Sequence, residues 1–331
     1  ANGTLSAPRG RLETSVAIDF NGTFTHNNGT WVPNGGSNTE NLCGNKVFYN
    51  VQNEASAQVR FLEGYTIENS HSNNGGSGFN YIHNEGTYLY GTTSSAATLS
   101  VNLRCLLGTD DATRFAIVKG VSNLYPVVFS FWNDLAHNRN VQTGNMKVTN
   151  TVDSMMKTGD TVQFIGDMEF TNAVTVDSGD TLDLNGQRAV FGGDFTCTGG
   201  GTPAALDWED SLVIIKGHVD LNGIITTANS GTQIIHDTAS EKNWRSLYAD
   251  AGVFMSNGSQ TTLTGYGWTS SGNEVTTIIP AATINTNNVG INTTNMTIPT
   301  GGTFQGQAQT LTCAGDFTTS GGLLGASCLS L

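Results

Sequence analysis

Val174 to Gly200 reads VTVDSGDTLDLNGQRAVFGGDFTCTGG, and its rhythm decides the fold class. Val174 and Val176 point to one side of a short alternating strand, a Ser178-Gly179 turn follows, and Leu182 and Leu184 then repeat the alternation. Val190 and Phe195 bracket a further turn at Gly192-Gly193. Short strands interrupted by turns every several residues suit a β-solenoid, in which each rung stacks its Val, Ile, Leu and Phe on the next.

The same stretch recurs. Met296 to Gly322 (MTIPTGGTFQGQAQTLTCAGDFTTSGG) aligns with it without a gap at an offset of 122 residues, with ten identical positions that include the shared Gly-Asp-Phe-Thr of Gly193–Thr196 and Gly315–Thr318. Ser211 to His236 continues the pattern, with Leu212-Val213-Ile214-Ile215, a turn at Lys216-Gly217, Val219-Asp220-Leu221, and an Asn222-Gly223 turn. The N-terminal part follows this grammar less regularly. Ile18 to Val32 reads strand, Asn-Gly turn, strand, Asn-Gly turn, strand, and further strands are expected at Lys46–Val51 and Gln58–Leu62.

Two segments break the rhythm. Leu103 to Asn140 holds the densest apolar material and is expected to form a compact cap or contact surface, whereas Thr238 and Glu241 form a capping box that predicts one short helix near 238–249. A polar, turn-rich stretch near Val148–Thr161 marks a domain boundary. The expected fold is therefore all-β: an irregular β-rich N-terminal assembly or attachment domain over 1–150, and a β-solenoid or β-helix-like repeat domain over 151–331. Tandem β-sandwiches are the alternative, because periodicity does not separate a rung from a sandwich strand.

Composition agrees. The 331 residues include 41 Gly and only 12% charged side chains, and the visible abundance of Thr, Asn and Ser favours strands and turns over helix. A formal charge of −13 with 14 Lys and Arg speaks against binding nucleic acid or anionic lipid, which need cations to displace counterions. No apolar run approaches a membrane span, so membrane insertion is not expected. Cys43, Cys105, Cys197, Cys313 and Cys328 form no CxxC or Cys/His pattern, which suggests free thiols used as small hydrophobes, with a Cys313–Cys328 bridge as the lesser alternative. These thiols fit assembly in a reducing cytosol.

Asn21 to Val32 (NGTFTHNNGTWV), followed by Val47-Phe48-Tyr49-Asn50-Val51, resembles the "GTFTHNNGTV…FYNL" repeat of β-helical surface and virion proteins of tailed bacteriophages and bacteria, and Val174 to Gly186 is similar to rungs of the same group. The resemblance implies a virion structural component, a tail fibre, spike or head decoration subunit, assembled in the host cytoplasm. Its implied partners are copies of itself as a homotrimer or higher assembly, other virion proteins and host cell-surface glycans. Two alternatives stand beside it: a glycan-degrading tailspike enzyme, and a secreted bacterial adhesin or surface-layer subunit at the cell surface.

Chemistry-bearing residues are sparse. Glycoside hydrolysis needs two carboxyl groups at a defined separation, for which Trp208-Glu209-Asp210 and the set Asp177, Asp180 and Asp183 are the candidates. The more economical expectation is that Asp177 and Asp180 flank a turn and that Asp183 faces solvent, so no enzyme activity is expected. His26, His71, His83, His137, His218 and His236 show no metal-ligand spacing, and Thr109-Asp110-Asp111 lacks the alternating oxygens of a calcium loop. No metal or other cofactor is expected. Aromatic residues set among Asn, Ser and Gly offer apolar area at low entropy cost. Tyr88, Tyr90, Trp208, Trp244, Tyr266 and Trp268 are accordingly the candidates for glycan or subunit contact.

Overall fold

Strands of three or four residues that begin at Val174, Thr181, Arg188 and Phe195, each separated by a turn, are too short to hold as isolated hairpins. Each finds its hydrogen-bonding partner one full coil away instead. The computed structural model describes the chain apart from residues 1–2, 16–21, 35–38, 43–45, 55–57, 62–64, 75–81, 85–86, 91–97, 104–114, 121–124, 132–139, 150, 153–160, 199–203, 222–224, 250, 266–275, 288, 308–309, 325–327 and 331. Among the described residues every registered strand pair is parallel, and no helix occurs. This establishes the β-solenoid and removes the sandwich alternative, whose sheets are antiparallel.

The chain divides into two compact units, Ala1–Asn150 with Asp160–Met168, and Thr151–Gly159 with Glu169–Leu331. In the second unit the coil has three sides. The first ladder runs through Arg188–Phe191, Leu212–Ile215, Gln233–Thr238, Val253–Gly258, Thr277–Pro280, Asn295–Ile298 and Phe317–Thr319. The second runs from Val174–Val176 through Phe195–Cys197, Val219–Asp220, Lys242–Arg245, Thr261–Thr264, Thr283–Asn285 and Thr303–Gln305 to Gly322–Leu324. The third side carries Thr181–Asp183, Ala205–Asp207, Ile225–Thr227 and Tyr248–Ala249, and later Ile291–Thr293, Thr310–Cys313 and Cys328–Ser330.

The internal repeat has a structural meaning beyond a repeated turn of the coil. Strands at 174, 181, 188 and 195 recur at 296, 303, 310 and 317, yet Val174 lies on the second ladder and Met296 on the first. The two copies are thus built alike but displaced by one side. Each side is one strand plus one turn, so a sequence suited to one side fits the next.

The core is a column of in-register side chains. Ala189, Val213, Ile234, Phe254, Ile278 and Met296 stack along the first ladder, and all are buried. Phe170 stacks on Phe191 at 5.2 Å between ring centroids, Phe191 meets Phe195 at 4.6 Å, and Phe195 meets Trp208 at 6.1 Å.

The N-terminal unit uses the same parallel grammar. Steps of one coil are short at first, with Thr4 opposite Thr23 and Thr30 opposite Asn50, and longer later, with Ser70 opposite Thr98 and Thr87 opposite Ile117. Trp31 packs on Phe48 at 5.1 Å and donates its indole N–H to Thr14 Oγ1 at 3.0 Å.

Two expectations are corrected. Phe115–Gly120 and Tyr125–Phe131, inside the segment expected to break the strand rhythm as a compact cap or contact surface, continue that rhythm as ladder strands. The helix expected near 238–249 is absent, and Lys242–Arg245 and Tyr248–Ala249 are strands instead. The capping signal lost to tertiary pairing. Lys242–Arg245 lies between Val219–Asp220 and Thr261–Thr264, and the Glu241 carboxylate accepts hydrogen bonds from Thr262 Oγ1 at 2.7 Å and Gln260 Nε2 at 2.8 Å. Trp244 is buried between exposed Asn243 and Arg245, an alternation only a strand provides.

Candidate functional surface

A solenoid presents one outward residue for each inward one, so its functional residues are rows across successive rungs. Trp208 and Trp244 do not belong to such a row. Both are 0% exposed, and Trp244 meets Phe254 edge-on at 4.9 Å. The expectation that they contact glycans or subunits is therefore corrected: apolar area of this size is worth more inside the coil than outside it. Tyr88 and Tyr90 sit on Thr87–Tyr90, opposite Tyr65 and Ile67. Tyr266, Trp268 and Thr109-Asp110-Asp111 lie outside the described residues.

The candidate acids are corner-forming groups. Asp183 and Asp207 stand in register on adjacent rungs. Each carboxylate accepts a hydrogen bond from the backbone N–H two residues on, Asn185 at 2.8 Å and Glu209 at 3.2 Å. Asp177 accepts from Thr198 Oγ1 at 3.2 Å, Glu209 is exposed, and Asp180 is buried. No cluster of three or more His, Cys, Asp or Glu able to hold a metal occurs among the described residues.

His236 is an internal staple. It lies in register between Ile215 and Ser256, in a second inward column of the first ladder. Its Nε2 is 2.9 Å from the Gly217 carbonyl oxygen and its Nδ1 2.8 Å from Thr261 Oγ1. A carbonyl only accepts, so Nε2 carries the proton and Nδ1 accepts from the threonine hydroxyl. The ring thereby ties three successive turns together. Cys197 and Cys313 are buried free thiols. Burial pushes the Cys197 thiol up to about 12, with the Asp220 charge adding to it.

The outward rows differ in kind. On the second ladder they carry Thr175, Thr196, Asp220, Arg245 and Thr264 in register. The third side shows Asp183, Asp207 and Thr227. On the first ladder the outward row is Val190, Ile214, Ile235, Met255 and Ile279, flanked by Leu212 and Val253. Val190 is 5% exposed, and the others are half-buried. The sequence holds a signal for this row: apolar doublets such as Ile234-Ile235, Phe254-Met255 and Ile278-Ile279, where a half-buried strand would alternate. No family model, curated protein or solved structure matches the chain. No helix among the described residues is long and apolar enough to cross a membrane.

Proposed function

We propose that the chain is a structural subunit of a virion, a tail fibre, spike or head decoration, that acts by multivalent assembly with copies of itself and with other virion proteins. The polar rows of the second and third sides offer hydroxyls, amides and carboxylates at the fixed strand spacing, a surface suited to host glycans. The observation that carries this reading is the uninterrupted second ladder from Val174–Val176 to Gly322–Leu324, a scaffold in which each rung is held by its neighbours. The Asn21–Val51 resemblance supports the virion assignment, and its residues fall on the coil strands Thr23–Thr25, Thr30–Pro33 and Lys46–Glu54.

The test is immunogold labelling of intact particles with antibody raised against the purified chain. Gold on the particle surface is expected, whereas label confined to the bacterial envelope would point to an adhesin or surface-layer subunit. The in-register Asp183 and Asp207 keep a glycan-degrading spike in view. Oligosaccharide release from host polysaccharide that disappears in Glu209→Gln would replace the structural reading with that one.

A further inference from the structure

In the N-terminal unit the ladder between Lys46–Glu54 and Tyr65–Asn74 breaks register after Phe48, so that Glu68 and Asn69 together oppose the single residue Tyr49. A bulge of this kind re-aims side chains and is over-represented beside binding and active sites. Phe48 is buried against Phe24 and Trp31, each at 5.1 Å between ring centroids. This aromatic anchor fixes the backbone from which Tyr49 projects.

Tyr49 stacks on the His26 ring at 5.8 Å with the planes 17° apart. His26 Nδ1 accepts the Asn28 backbone N–H at 3.0 Å, so the proton sits on Nε2, which reaches the Glu68 carboxylate Oε2 at 3.3 Å. Three rungs thus hold two rings and a carboxylate in one half-buried patch, rimmed by exposed Asn28 and Asn69. Asn69 donates to Asn50 Oδ1 at 2.7 Å and keeps its own carbonyl oxygen free. Among the described residues, Glu68 Oε1, the Tyr49 hydroxyl and the Asn28 side-chain amide make no hydrogen bond. Elsewhere the coil uses such groups on itself: Asp220 pairs with Arg245 at 2.9 Å, and Asp183 and Asp207 hold their corner amides.

We infer that this patch binds an uncharged sugar residue. A pyranose presents an apolar C–H face and a rim of hydroxyls that both donate and accept. The rings of Tyr49 and His26 supply apolar area with polar tips. The Glu68 carboxylate accepts, while the phenol and the Asn28 amide do both. An acidic sugar is disfavoured by the Glu68 charge and by the chain's formal charge of −13. The outer two of the three rungs lie about 10 Å apart, a span that suits one or two sugar rings.

A patch this small and open gives weak binding, with a Kd on the order of 1 mM, which becomes effective when many copies are displayed together. The inference rests on the glycan-contact part of the proposed function and names the sugar class and the residues that meet it. It is tested on the isolated full chain. A chain that labels particles yet binds no sugar would sink this inference alone, and the converse would sink only the virion reading.

Saturation-transfer NMR of the full chain with the methyl glycosides of glucose, galactose and N-acetylglucosamine is expected to show transfer to at least one of them, and none to the methyl glycoside of glucuronic acid. Glu68→Ala should weaken binding of that sugar about tenfold, as the loss of one charged hydrogen bond does. Tyr49→Ala should abolish it, with the far-UV dichroism unchanged. Tyr49→Phe removes only the hydroxyl and should weaken binding in a chain that keeps its fold, while Thr196→Ala on the second ladder leaves binding intact. No transfer to any of the three neutral glycosides, equal transfer to the glucuronide, or binding untouched by both Tyr49→Phe and Glu68→Ala would overturn the inference.

Discussion

Burial inside the coil lowers the pKa of His236 from its ordinary 6.5 to about 4, helped by the nearby charges of His218 and Lys242 and opposed by the Gly217 carbonyl and Asp237. The folded pKa lies below the unfolded one, so as pH falls the unfolded chain takes up this proton first. The contribution of the neutral ring is fully present above about pH 6.5 and is lost toward pH 4, a change of about 3 kcal/mol. Urea denaturation of the wild type and of His236→Gln at pH 7 and pH 4.5 measures it. The wild type is expected to lose more stability than the variant over this interval, and parallel losses would refute the assignment. Cys197 illustrates the same burial with a different chemical consequence, since a thiol held protonated is a poor nucleophile.

Among the structural elements, the corners set how closely rungs approach. Gly193 and Gly217 occupy equivalent corners of consecutive turns, and a Cβ on Gly217 would collide with the backbone of Gly193 and Asp194. The amide of His218, one residue on, donates to the Asp194 carboxylate at 2.8 Å, which gives the Asp of the first Gly-Asp-Phe copy a role in joining consecutive rungs. The Asn185-Gly186 turn meets a different demand, since both residues have positive φ, 48° and 71°. Gly217→Ala must push two rungs apart and is expected to cost about 1–3 kcal/mol. Gly10→Ala, where an added methyl meets open space, should change stability by less than about 1 kcal/mol. Equal effects in guanidinium denaturation would show that corner contact is not limiting.

At the scale of the molecule, an acidic chain with one nearly neutral apolar face should respond to salt in a definite direction. Raising the ionic strength screens repulsion between two copies over about 10 Å and leaves the apolar contact unweakened. Self-association measured by sedimentation should therefore strengthen between 0.05 and 0.5 M sodium chloride, values spanning roughly a threefold change in screening length. Dissociation by salt would mean that ion pairs hold the copies together.

Alternation, Gly turns and the 122-residue repeat were enough to specify an all-β coil, because side-chain period and turn chemistry are local properties. The same reading supplied the inward residues Val174, Val176, Leu182, Leu184 and Phe195, all buried. Three outcomes depended on the assembled coil. The capping box at Thr238 gave way to strand because neighbouring rungs offered a ladder on both sides of Lys242–Arg245. Trp208 and Trp244 went inside rather than to a contact surface, since strand phase within a rung chooses the face. The outward row of Ile214, Ile235, Met255 and Ile279 came together only through register, which aligns residues 20 to 24 positions apart and is set by the length of every intervening turn.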